Sequence, residues 1–238
     1  MLARRMISIS RLLLLLSLVL VSYISIAQSS NSKYDPIYGL NPILYNGRAY
    51  EFFPKSETGG TQYLLIDFDT RGSIKLRGVT YSNLNLNYDV FNQQLILKYI
   101  DEIGSTQLIE ISFAWLESFI MDGRSYVILT DANSTKRIYQ VLGANMLKVM
   151  YYQSKELKND NIKSPGTQNF TDVQKERYVL INNVLISYKN NKSFIKGFSP
   201  DKQDLIKTYI HKHKINVRKA GDYVMTDLIN YCNTISGL

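Results

Sequence analysis

Asn83-Leu84-Asn85-Leu86-Asn87-Tyr88-Asp89-Val90 alternates polar and apolar side chains without a break. A period of two held over that length predicts an antiparallel strand with one buried face and one wet face. The chain then turns near Asn92-Gln93 into Leu95, Leu97 and Tyr99, which alternate again. Working outward, short apolar runs recur roughly every 8 to 14 residues between turn signals, the pattern of an all-β body. Upstream, Asn46-Gly47 between Ile43-Leu44-Tyr45 and Ala49–Phe53 predicts a tight hairpin. A strand is expected over Tyr63–Asp69, and another over Ile74–Arg77 after Gly72. Downstream, strands are expected at Leu108–Phe113, Phe119–Met121, Tyr126–Thr130, Arg137–Leu142 and Leu147–Tyr152. Asp122-Gly123, Asp131–Thr135 and Gly143-Ala144-Asn145 are the turns between them. Asn159–Gly166 reads as a loop without an element of its own, and Asn182-Asn183 turns a last hairpin, Glu176–Ile181 with Val184–Tyr188. So many strands predict a mainly β, α+β fold whose antiparallel sheet rolls into a barrel or sandwich.

After Asn190 the period changes to that of a helix. Phe194 and Phe198 stand four apart. Ser199-Pro200-Asp201 supplies a capping hydroxyl, a proline at the first helical position and an acid in the first turn. Leu205, Ile206, Tyr209 and Ile210 form one apolar stripe, and Val224, Met225, Leu228, Ile229 and Cys232 form a second after Gly221-Asp222. The two stripes predict a C-terminal helical hairpin packed on the sheet.

Residues 1–27 read as a signal peptide. Arg4, Arg5 and Arg11 precede the apolar run Leu12–Val21, and Ser25-Ile26-Ala27 offers small residues at a cleavage site. The division is therefore a signal peptide at 1–27, an antiparallel β domain at 28–190 and a packed helical segment at 191–238. No second run approaches the roughly 20 apolar residues of a membrane-spanning helix, so no transmembrane span is expected after signal removal. The expected location is periplasmic, outer-membrane-associated or extracellular. The 238 residues carry 45% hydrophobic and 12% aromatic side chains, which excludes a disordered chain. One cysteine excludes a disulfide framework.

Two stretches resemble a known group. Gly72-Ser73-Ile74-Lys75-Leu76-Arg77-Gly78-Val79-Thr80-Tyr81 runs on to Leu86-Asn87-Tyr88-Asp89-Val90-Phe91-Asn92-Gln93-Gln94-Leu95. Together with the tail from Phe194-Ile195-Lys196 through Ile206, Tyr209-Ile210, Ile215 and Leu228-Ile229-Asn230-Tyr231, it is similar to exported envelope proteins of Bacteroidota. The resemblance covers about half of the chain beyond the signal. It implies an exported β-rich body with a helical end, and no catalytic residue, because the group has no assigned activity.

The residues offer little chemistry. His211 and His213, the only histidines, are two apart on an expected helix and point about 200° from each other, His213 into the apolar stripe and His211 to water. No metal and no cofactor is expected. No G-x-S-x-G elbow, P-loop or G-x-G-x-x-G is present. Cys232 belongs to an apolar stripe and reads as a core residue. Asp67 and Asp69 flank Phe68 and would suit a small carboxylate-dependent hydrolase. Ion pairs to Lys75 and Arg77 across neighbouring strands explain all four residues and are the favoured reading. The lone Trp115, beside Glu117, reads as a core anchor.

Charge is the remaining signal. From Lys189 to Lys219 there are nine Lys and Arg against Asp201 and Asp204 alone. The wet side of the first long helix should present Lys207, His211 and Lys214, with Lys212 at the boundary. Arg218 and Lys219, with Lys189 and Lys192, would extend this into one positive patch able to dock an anionic surface. The expected function is a non-catalytic binding or structural module for an envelope protein, a glycan or an anionic lipid headgroup. Nucleic acid is an unsuitable partner for an exported chain.

Overall fold

The computed structural model describes residues 41, 43–55, 57–68, 70–101, 103–130, 135–160 and 167–237. The signal peptide, Asp69, most of the Asp131–Thr135 turn and residues 161–166 of the Asn159–Gly166 loop lie outside the described residues. Two compact units divide the chain at Tyr45/Asn46. Of the first, a turn is described in which Asn41 Oδ1 accepts from Ile43 N and Leu44 N at 2.9 and 3.1 Å. The second unit, from Asn46, holds all the described strands and helices.

That unit contains β1 (Arg48–Ala49), β2 (Arg71–Leu76), β3 (Val79–Asp89), β4 (Gln94–Ile100), β5 (Thr106–Glu110), β6 (Leu116–Met121) and β7 (Arg124–Thr130). It continues with β8 (Lys136–Leu142), β9 (Lys148–Ser154), β10 (Leu157–Asp160), β11 (Thr167–Phe170), β12 (Gln174–Ile181) and β13 (Val184–Ser187). Three helices close it: α1 (Asn191–Lys196), α2 (Pro200–Lys212) and α3 (Asp222–Ser236). Eleven strands form one antiparallel sheet in the order β1-β5-β4-β3-β2-β6-β7-β8-β9-β12-β13, and β10 pairs with β11 separately. Hairpin turns set much of that order. Arg77-Gly78, Asp122-Gly123 and Asn182-Asn183 all have positive φ at both central positions, the geometry that matches strand twist.

The ladder does not close into a barrel among the described residues, because β1 and β13 are its two ends. Both ends are only a few residues long, a usual way of blunting an edge. The sheet nevertheless coils strongly. Tyr88 of β3 makes edge contacts with Phe119 and Tyr126, on strands two and three places away in the order, at 6.1 and 6.0 Å between ring centres. Gln93, in the β3–β4 turn, donates from Nε2 to Gln153 O of β9 at 2.9 Å.

The helices cover the sheet where β8, β9 and β12 meet. Val149, Tyr151 and Val179 share a cluster with Phe194, Ile206, Ile210, Met225, Leu228, Ile229 and Cys232. Asn233 fastens the last helix: its side chain accepts from Leu147 N and donates to Leu147 O, both at 3.0 Å. Asp222, first in α3, accepts from Gln140 Nε2 at 2.6 Å, and Gln140 Oε1 accepts from Gln153 Nε2 at 3.1 Å. This chain of side chains fixes the helix start to β8 and β9.

Several expectations need correction. Asn46-Gly47 makes no hairpin; the chain passes straight into β1, which pairs with Ile109 and Glu110 of β5. A Cβ on Gly47 would sit 2.1 Å from Glu110 O, so glycine is needed there for close backbone approach rather than for a turn. Tyr63–Phe68 is not a strand but an irregular segment laid over β3, joined by a single bridge, Tyr63 to Asp89. In consequence the far end of β3 has no wet face, since Asn87 and Asp89 are both 0% exposed. Asn87 donates to Leu65 O and Asp67 O and accepts from Leu65 N and Tyr88 N. Leu205 and Val224, placed in the apolar stripes, are exposed. His213, also assigned there, is exposed at the end of α2 with its ring 4.2 Å from that of Tyr209. Trp115 is half-buried under the Arg77 guanidinium at 4.7 Å, not a core anchor. Finally, Asn159 and Asp160, read as loop, end β10 and pair with Gln168 and Thr167 of β11.

Candidate functional site: a basic groove between two helices

Helix α1 is short, but its start is well made. Asn190 accepts from Ser193 N at 2.9 Å, and Ser193 Oγ accepts from Asn190 N at 3.1 Å, a reciprocal cap. Asn191 then clasps the chain beyond α2: Nδ2 donates to Ile215 O at 2.7 Å and Oδ1 accepts from Val217 N at 2.9 Å. Helix α2 ends in a Schellman motif, with Ile215 N donating to Ile210 O at 2.9 Å and Lys214 N to His211 O at 3.1 Å. The left-handed position of that motif, usually glycine, is held by Lys214 at φ 51°. The apolar contact that accompanies such a motif brings Ile210 and Ile215 together.

These three devices leave a groove between α1 and α2 of about 920 Å³. Ile195, Ile210 and Ile215 lie along it, and the lining is mainly hydrocarbon. Lys192, Lys196, Lys207, His211 and Lys214 also line it, and no carboxylate does. All five of these basic side chains belong to exposed residues. A left-handed lysine costs backbone energy that a glycine would not, so the motif spends stability to keep a cation at the groove.

The structure thus brings together Lys207, His211 and Lys214, as the helical spacing predicts. Lys192, expected to extend the patch, lines the groove with them, and α1 adds Lys196, which the sequence counts as charge without assigning to a face. Lys212 is exposed but does not line the groove. Arg218 belongs elsewhere: with Lys175, Arg177, Lys189 and Glu176 it lines a separate hollow of about 560 Å³. Arg177 donates to Arg218 O there at 3.0 Å. Lys175 is held below the ordinary lysine range by burial. Lys219 is exposed and lines neither hollow. The single expected patch is therefore two.

Other candidates carry less chemistry. Asp67 is exposed on the irregular segment. Lys75 pairs with Glu117 at 3.0 Å. The buried carboxylate is Asp89, which the sequence reading assigned to a wet face. Its Oδ1 accepts from Phe91 N and Asn92 N, and its Oδ2 from Tyr50 Oη and Asn92 Nδ2, at 2.6 to 3.0 Å. Four donors hold it as a structural acceptor. The signal for its burial was available: from Ser82 to Gln94 the polar positions carry no Lys, Arg or Glu, an odd composition for a solvated face. Cys232 is fully buried and its thiol is pushed up to about 12 by that burial. Among the described residues no helix is long and apolar enough to cross a membrane, and no group of three or more His, Cys, Asp or Glu is placed to hold a metal ion.

No protein-family model, curated protein or solved structure matches the chain.

Proposed function

We propose that the protein is a non-catalytic, exported envelope module, of the kind its Gly72–Leu95 and C-terminal segments resemble, that holds an anionic partner in the α1–α2 groove. In this reading the coiled sheet is an open roll that serves as scaffold, and the helices carry the binding face. One observation carries the proposal: five basic side chains, unaccompanied by any carboxylate, ring an apolar hollow. Such a surface concentrates anions and repels cations. A carboxylate hydrolase has less support, because Asp67 stands exposed and Asp89 is saturated by four donors.

The test is retention in the native envelope fraction as salt is raised. Exposed charges are screened over about 10 Å at 0.1 M salt, so the parent should be released progressively. The Lys207→Glu/Lys214→Glu variant should be released at low salt already. Equal, salt-insensitive retention of both proteins would show that the lysines are only solvated.

A further inference from the structure

The groove's polar inventory points to a more specific occupant. Its two amide side chains are already engaged within the protein. Asn191 uses both ends of its amide on the Ile215 and Val217 backbone, and Gln203 Nε2 donates to Phe198 O at 2.9 Å. No Phe, Tyr or Trp ring lines the groove. A glycan or a peptide backbone brings hydroxyls or amides at every unit and needs partners along its whole length. Here the interior offers carbon, from Ile195, Ile210, Ile215 and the lysine stems, and the rim offers positive charge. That combination suits a ligand with an unbroken hydrocarbon portion and one anionic end. The volume of about 920 Å³ lies within the range of roughly 300–1,000 Å³ that holds one small molecule.

We infer that the groove binds a single-chain anionic lipid, with its chain along Ile195, Ile210 and Ile215 and its headgroup among Lys207, His211 and Lys214. The inference rests on the proposal that the groove takes an anionic partner. The left-handed Lys214 gives it further support: the Schellman motif that joins Ile210 to Ile215 also puts Lys214 in the groove's lining with them.

The experiment is calorimetric titration of the purified protein with decanoate, 1-decanol, inorganic phosphate and an octaglutamate peptide, each below any micelle concentration. Two variants accompany it. Ile195→Trp fills the hydrocarbon floor, and Lys207→Glu/Lys214→Glu reverses the rim at two exposed positions that should not affect folding. Melting curves confirm that each variant is folded. Decanoate should bind at one saturable site, at least tenfold tighter than decanol, and each folded variant should weaken it at least tenfold. If Ile195→Trp does not fold, the lysine pair and the decanol comparison decide. Phosphate or octaglutamate binding as tightly as decanoate, with loss in the lysine variant, overturns the lipid and leaves an anion site. No binding of any anion overturns both readings. Decanoate binding that neither variant changes places the lipid elsewhere and overturns the inference.

Discussion

Replacing Asn87 by leucine removes four hydrogen bonds at a position with no access to water, while keeping the number and branching of the side chain's heavy atoms. Asn87 holds Leu65 N, Leu65 O and Asp67 O of the irregular segment, and its own strand's Tyr88 N. Tyr88 N would be left buried without an acceptor, at about 1–3 kcal/mol. The three groups on the overlying segment can turn to water, so each costs only the net value of a hydrogen bond, about 0.5–1.5 kcal/mol. The expected loss is about 5 kcal/mol, a large share of the ~5–15 kcal/mol typical of a domain. With a urea slope of about 2 kcal/mol per M, the unfolding midpoint should fall by about 2.5 M. Hydrogen exchange adds a local readout. Leu64 N bonds to Tyr88 O at 2.8 Å and does not depend on Asn87, so its protection should fall only as far as global stability falls. The Leu65 amide should lose protection beyond that. A midpoint shift under about 0.3 M, with Leu65 protection unchanged, would refute the clamp.

The Lys207→Glu/Lys214→Glu pair should change unfolding free energy by less than about 1 kcal/mol, since exposed charges of this kind contribute little; urea melts check this. Lys214→Gly should raise the melting temperature slightly, by relieving the left-handed lysine at a cost of about 1 kcal/mol or less, and should weaken decanoate binding. Glu117 is held below its usual range by the Lys75 ammonium and the Gly78 amide. Its folded form therefore binds a proton less readily than its unfolded form, and its contribution is present above the ordinary value near 4.5 and fades as pH falls below it. The stability gap between the parent and Glu117→Gln should close along that acid side and stay level above it. Cys232 should resist a thiol reagent at pH 8 until the chain is unfolded, and rapid labelling of native protein would contradict its burial.

Strand positions were readable where a period of two survives in one sheet layer, and most of β3 to β9 was found that way. Which face is wet was not readable, because it depends on what lies over the strand. The Tyr63–Phe68 segment covers Asn87 and Asp89 from more than twenty positions upstream, and nothing in the local pattern records that. The same limit explains Leu205 and Val224: a helical stripe names the side of a helix, not how wide a strip its neighbours bury. At the groove, α2 placed Lys207, His211 and Lys214 on one side through spacing alone. Lys192 was expected beside them, but Lys196 needed the tertiary clasp by Asn191, which sets α1 beside the end of α2. Arg218 was assigned to the wrong hollow for the same reason, as the turn after Ile215 carries it toward β12.

Among the described elements α3 is the last to be synthesised, yet the sheet's inner face at β8, β9 and β12 has no other cover of comparable size. A chain emerging N-terminus first therefore presents Val149, Tyr151 and Val179 as an open sticky surface for the whole time needed to make β12, β13 and the first two helices. The cluster is complete only when Met225, Leu228, Ile229 and Cys232 arrive. The hazardous interval for aggregation is thus set by chain order rather than by final stability. A ribosome stalled just short of α3 would hold a species that a holding chaperone recognises and the finished protein never resembles.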